Sequence, residues 1–168
     1  MYFSEFPKVE FLNQKVTNLT IGVKLAGLIN DQTFDLLNYA VEDGDKPDDV
    51  AHNYYENAKH AWLVLLTNSI IDPYFQWPLS TREFPNFIKK KYGSINAAQA
   101  TIIHCEHKTK NITVSADSLT VSNGVISGDY TAIDAYTYWD AINENRRFIR
   151  LINKSYLNGV LEQFRNLV

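Results

Sequence analysis

The sequence predicts an α+β protein, with a strand-helix-helix core, a β-hairpin insertion, an extended N-terminal arm and a C-terminal helix. Three observations predict it. Apolar residues recur at helical spacing after Pro47 and again near the C-terminus. Residues 100–130 turn instead to alternation punctuated by Asn-Gly and Ser-Gly steps, the chemistry of hairpins. Pro7 sits among Tyr2, Phe3, Phe6, Val9 and Phe11 and disfavours a helix there. The expected division is 1–33 for the arm and an irregular segment, 34–96 for the helical core, 97–131 for the insertion, and 132–168 for a helix-strand-helix ending.

The arm covers Met1 to Phe11 and carries apolar anchors; its alternative is an edge strand on the same domain. Residues Phe34 to Val41 alternate, with Leu37, Tyr39 and Val41 on one face, as a buried strand does. Asp43-Gly44 is a turn. Pro47 stands where a helix places its first residue, and Asp48 and Asp49 favour the helix dipole behind it. A second helix runs from about Ala58 to Asn68, apolar all round at WLVLL, as expected of a helix buried on most sides, until Asp72-Pro73 stops it. Ser80-Thr81-Arg82-Glu83 is a capping-box pattern for a third helix that carries Phe84, Phe87 and Ile88 to Tyr92-Gly93. TIIHCEH and ITVSADSLTVS alternate as strands, with turns at Asn123-Gly124 and Ser127-Gly128. The pattern is helical again from about Asp134, RRFIRLI alternates as a short strand, and Asn153-Lys154-Ser155 caps a last helix. Its apolar stripe is Tyr156, Leu157, Val160, Leu161 and Phe164.

Composition narrows the function. Sixteen basic against nineteen acidic residues leave a net charge of −3, the wrong sign for wrapping nucleic-acid phosphate. Hydrophobic residues at 45% and charged ones at 21% give a chain that buries a core. A single cysteine, Cys105, excludes an internal disulfide and an all-thiolate metal site. The Trp62–Leu66 run falls far short of the ~20 residues of a membrane span. MYFSEFPKVEF shows no basic stretch leading into an apolar one, so secretion is not expected.

Catalytic and ligand motifs are sparse. Gly22 and Gly27 have the first spacing of a phosphate loop but are followed by Leu28-Ile29, with no lysine for phosphates. Cys105 and His107 share a strand face, yet a zinc site needs three or four ligands and no second pair stands at ligand spacing. His52 and Glu56 read as an i, i+4 helix contact, and Asp48-Asp49 as dipole complement. Lys89-Lys90-Lys91 closes a helix, where cations oppose the negative dipole end; the other reading is a nucleic-acid patch. No catalytic residue, cofactor or metal is expected.

From Asp43 to Pro78 the chain resembles the LysM-like core of the small baseplate wedge subunit of T4-like contractile-tailed phages. The residues that carry the likeness are Asp43, Gly44, Pro47, Val50, Ala51, Tyr55, Trp62, Leu65, Leu66, Asn68, Asp72, Pro73, Tyr74, Trp77 and Pro78. MYFSEFPKV, AYTYWDAINENRR, the IRLI strand and SYLNGVLEQF extend it to both ends, while 97–131 reads as a variable β insertion. Two departures stand out. Tyr55-Glu56-Asn57 replaces a usual Tyr-Gly turn, and Lys46 replaces the Ser or Thr cap, at about 1 kcal/mol of helix stability unless something compensates.

The resemblance implies a structural part of a phage tail, without catalytic duty. It would clamp neighbouring wedge proteins and help wedges join each other around the tail hub, in a virion assembled in the host cytoplasm, with no nucleic-acid or membrane partner. A peptidoglycan-binding LysM-type module is the alternative, and a small wall hydrolase using His52, Glu56 and His60 is a third reading. Three aromatic groups are expected at partner surfaces: Tyr2, Phe3 and Phe6 in the arm, Tyr74, Phe75 and Trp77 after the second core helix, and Tyr156, Val160 and Phe164 on the last helix. For each, packing inside the subunit is the competing role.

Overall fold

A computed structural model describes residues 6–18, 35–115 and 128–167, with the side chains of the last two residues left aside. Tyr2, Phe3, Phe34 and the Asn123-Gly124 turn lie outside these residues. The α+β class is borne out, with seven α-helices and seven strands in small sheets among the described residues. The chain forms two compact units, Met1–Trp77 with Arg147–Val168, and Pro78–Arg146.

The first unit opens with strand β1 (Lys8–Phe11), paired antiparallel to β2 (Gln14–Thr17) so that Val9 faces Val16 and Glu10 faces Lys15. The two residues between them, Leu12 and Asn13, have φ of 50° and 61°. Two consecutive positive φ values are what a two-residue hairpin loop requires. The arm is therefore half of a hairpin, and β2 replaces an expected irregular segment.

Strand β3 (Leu36–Ala40) pairs antiparallel with β7 (Phe148–Ile152), in register Leu36 to Ile152 and Ala40 to Phe148. Between them in sequence come α1 (Pro47–Tyr55) and α2 (Ala61–Thr67), which give the expected strand-helix-helix order. The expected second helix splits: Ala58–His60 is a 3-10 turn whose Lys59 N–H donates to the Asn57 carboxamide, and α2 begins after it. Lys46 cannot accept a bond from the helix, but Asp49 compensates in part, its carboxylate accepting the Lys46 N–H at 3.0 Å. Val50, Ala51, Tyr55, Leu63 and Val64 are buried against Ile149, Leu151 and Ile152.

Helix α2 ends before the expected stop at Asp72-Pro73: Ser69 turns left-handed at φ 54°, and the N–H groups of Ser69 and Ile70 donate to the Leu66 and Leu65 carbonyls, so Asp72-Pro73 instead starts α3 (Pro73–Gln76). The chain returns after β7 through a 3-10 turn at Lys154–Tyr156 and closes on α7 (Leu157–Leu167). Val160 and Phe164 are buried there, and Phe164 meets Trp62 with ring centroids 4.7 Å apart and Phe6 at 6.2 Å.

The second unit holds α4 (Phe84–Tyr92), α5 (Ile95–Ala100), β4 (Ile102–His107), β5 (Thr113–Ser115), β6 (Tyr130–Asp134) and α6 (Ala135–Arg146). The capping box is present: Glu83 N–H donates to Ser80 Oγ at 3.3 Å, and the Glu83 carboxylate accepts the Ser80 N–H at 3.4 Å and the Ser80 hydroxyl at 2.9 Å. Helix α5 was not expected, although Ser94 caps it by accepting the Ala97 N–H. Its six residues are too few to show a helical period, and three of them are alanine. Where a β-hairpin was expected, β4, β5 and β6 form a three-stranded antiparallel sheet in the order β5-β4-β6 among the described residues, with Cys105 buried. Phe84, Ile88, Ala98 and Ala135 form this unit's core.

Candidate partner-binding surface

The residues that carry the sequence motif are mostly occupied in holding the first unit together. Asp43 pairs with Arg147 at 3.0 Å, and Gly44 turns with φ of 88°. The Tyr55 hydroxyl donates to the Ile152 carbonyl, and burial raises its pKa far above the ordinary phenol value. The Asn68 carboxamide bonds the backbone of Arg150 on both sides. Trp77 Nε1 donates to the Asp45 carbonyl at 2.7 Å, which pins the chain leaving α3 to the loop before α1.

Of the partner residues expected from sequence, Phe6, Trp77, Val160 and Phe164 lie in the unit's own core. Their apolar area is taken up inside the chain, because the short α7 stripe and the residue before Pro7 complete the cover over α2. Tyr156 is 41% exposed. Tyr74 and Phe75 are 91% and 73% exposed, beside Ile71 at 92%. Tyr2 and Phe3 fall outside the described residues.

Two aromatic side chains in water on so short a helix, with Ile71 just before it, need a rigid base if they are to serve recognition. The base is built from polar groups. Asp72 Oδ1 accepts the Tyr74 N–H at 3.0 Å, and the Gln76 carboxamide oxygen accepts the N–H groups of both Ile71 and Asp72 at 2.8 Å. Pro73 fixes φ at the first helical position. The aromatic pair is thus preorganised, and binding through it loses less conformational entropy.

A second apolar surface joins Val9 and Phe11, expected as anchors of the arm, to Val16 on a strand that was not expected. Val9, Phe11 and Val16 occupy one face of the β1–β2 hairpin and are exposed, with Leu12 at its tip 83% exposed. Alternation within Lys8–Phe11 was the available signal, but the partner strand was hidden because Leu12 is not a turn-forming residue.

Among the described residues, two of the acid and imidazole groups considered for hydrolysis, Glu56 and His60, are engaged with structural neighbours. Glu56 pairs with Lys154 at 3.2 Å, and burial lowers the pKa of His60, whose ring packs edge-on against Tyr55. His107 Nδ1 accepts the N–H groups of Thr109 and Lys110, so this nitrogen closes the β4–β5 turn. Among the described residues no group of three or more His, Cys, Asp or Glu side chains could hold a metal ion, and no helix is long and apolar enough to cross a membrane. Lys91 of the basic run lies 3.9 Å over the Trp139 ring, a cation–π contact.

The family model for base plate wedge protein 53 matches residues 1–117. The chain belongs to the base plate wedge protein 53 family. The expected baseplate resemblance is thereby borne out, and the protein is a structural component of the phage tail baseplate, whose place is among other baseplate components. The match takes in the β1–β2 hairpin, the β3-α1-α2 core and the exposed α3. No curated protein matches the chain.

Proposed function

We propose that this wedge protein clamps neighbouring wedge subunits and helps wedges join around the tail hub, binding by shape and apolar area, without bond-making chemistry, during assembly in the host cytoplasm. The observation that carries this reading is the pair Tyr74 and Phe75, 91% and 73% exposed on a turn held rigid by Asp72 and Gln76. Exposed aromatic side chains on a fixed base are the usual anchors of a protein interface. The amphipathic hairpin supplies a second contact, since an isolated two-stranded ribbon is marginal in water until its apolar face is covered.

The test is reconstitution of a wedge from the separately expressed wedge proteins of one phage. Tyr74→Ala with Phe75→Ala is expected to weaken entry of this chain about thirtyfold or more, with its thermal unfolding unchanged. Wedges that join normally with the double variant would remove α3 from the interface. A wild-type chain that enters no wedge would overturn the clamp itself.

A further inference from the structure

The two edges of the β3–β7 ribbon differ. Val41 N–H donates to the Arg147 carbonyl, and Asn153 N–H to the Asp35 carbonyl. In an antiparallel pair the bonded positions alternate, so residues 35, 37, 39 and 41 of the β3 side face β7, and Leu36, Asn38 and Ala40 turn their N–H and C=O groups outward. On β7 the outward groups belong to Phe148, Arg150 and Ile152. That edge is largely closed by side chains from the helices: the Asn68 carboxamide takes both backbone groups of Arg150, and the Tyr55 hydroxyl takes the Ile152 carbonyl. On β3, among the described residues, no strand or side chain takes the outward groups.

Beside the open edge the ribbon carries a hollow of about 590 Å³, lined by Asn38, Tyr39, Ala40, Phe148, Ile149 and Arg150. Ala40 and Phe148 are opposite each other in register, as are Asn38 and Arg150, and all four share one face. Phe148 is 74% exposed. Among the described residues no carboxylate pairs with the Arg150 guanidinium. An aromatic ring and an arginine beside a small residue form a receptive patch, and its charge calls for an acidic group on the occupant.

We propose that the outer edge of β3 receives an extended segment of another baseplate protein, which adds as a third strand, sets an acidic side chain against Arg150 and an apolar one in the hollow beside Phe148. This rests on the reading of the chain as a clamp. It names the mode of binding, β-strand addition, and the chemistry of the segment bound.

The test places isotope-labelled wild-type chain in a wedge reconstituted from the other wedge proteins of the same phage and follows amide exchange. In the free chain Leu37 and Tyr39 are expected to exchange slowly and Leu36, Asn38 and Ala40 fast. In the wedge the latter three are expected to slow about tenfold or more, giving protection along the whole strand. Asn38→Pro removes an outward donor without touching the bonds to β7 and is expected to weaken entry about tenfold. Arg150→Glu, at an exposed side chain, is expected to do the same and decides the matter if the proline variant unfolds.

A wedge that forms with all three amides still fast, or that accepts both variants as it accepts wild type, overturns the strand addition while leaving the clamp standing. Protection of the same amides in the chain alone at high concentration would assign the edge to a second copy and overturn the proposal as well. A wild-type chain that enters no wedge takes down both readings.

Discussion

Asn68 grips the peptide backbone of Arg150 with both ends of its carboxamide: Oδ1 accepts the Arg150 N–H at 2.8 Å, and Nδ2 donates to the Arg150 carbonyl at 2.9 Å. The same Nδ2 donates to the Val64 carbonyl, one turn back on α2. A side chain at the end of a helix thus stands in for a neighbouring strand and ties α2 to β7. The second unit uses the same device, where Asn143 of α6 accepts the Leu79 N–H at 2.7 Å and donates to the Leu79 carbonyl at 3.0 Å.

These two clasps are expected to differ in worth. Asn68→Ala exposes the Arg150 backbone groups to water, which rebonds them, so the loss is about 1 kcal/mol. Asn143 is only 5% exposed, and Asn143→Ala leaves the Leu79 N–H and carbonyl short of partners where water enters poorly, at about 2–3 kcal/mol. Urea unfolding of both variants beside wild type measures the difference. Equal losses would mean that water reaches the two sites alike.

The contrast between such clasps and the exposed surfaces explains what was legible beforehand. Asn68, Tyr55 and Trp77 stand among the residues that carry the likeness to the family, and each bonds the backbone of another element. Helix α1, with Pro47 at its start, and α4, with its Ser80–Glu83 box, were readable because caps and periodicity are local. The partners were not. That Asp43 meets Arg147, over a hundred positions away, depends on the β3–β7 register, which no spacing encodes. Aromatic type alone did not separate Phe75 in water from Trp77 in the core, two positions apart, because burial there is decided by the Asp45 carbonyl that receives the indole. Nor did it reveal the hairpin, whose tip combines Leu12 and Asn13 at positive φ without a glycine.

Glu56 closes α1 in the left-handed region, at φ 61° and ψ 18°. A residue with a Cβ is strained there by about 1 kcal/mol, and glycine is not. Glu56→Gly is therefore expected to stabilise the chain by roughly 0.5–1 kcal/mol, despite the flexibility glycine adds to the unfolded chain. The ion pair with Lys154 is lost, but it is solvent-exposed and adds little. Glu56→Ala removes the same pair and keeps the strain, so it separates the two effects. A denaturant midpoint that rises for glycine and not for alanine is the expected outcome; equal midpoints would mean that the strain does not exceed the cost of the flexibility glycine adds to the unfolded chain.

Asp134 precedes α6 and holds its first turn: Oδ1 accepts the Thr137 N–H at 2.9 Å, and Oδ2 accepts from the Thr137 hydroxyl at 2.9 Å. The Thr137 N–H is the main cause that keeps this carboxyl below its ordinary pKa, against the opposing effect of burial. A carboxyl whose pKa falls on folding binds fewer protons in the folded state, so its stabilisation is complete above the unfolded value near ~3.9. It is lost as pH falls through the lower folded value. Asp134→Ala is expected to cost about 1 kcal/mol at neutral pH, and the gap to wild type should narrow steadily below about pH 4. Asp134→Asn keeps an acceptor for the Thr137 N–H and has no carboxyl to titrate, so its stability relative to the alanine variant should hold constant across the same range. Thermal unfolding of the three chains between pH 3 and pH 7 tests this, and an alanine deficit that is the same at both ends would show that the charged form of Asp134 caps the helix no better than the protonated one.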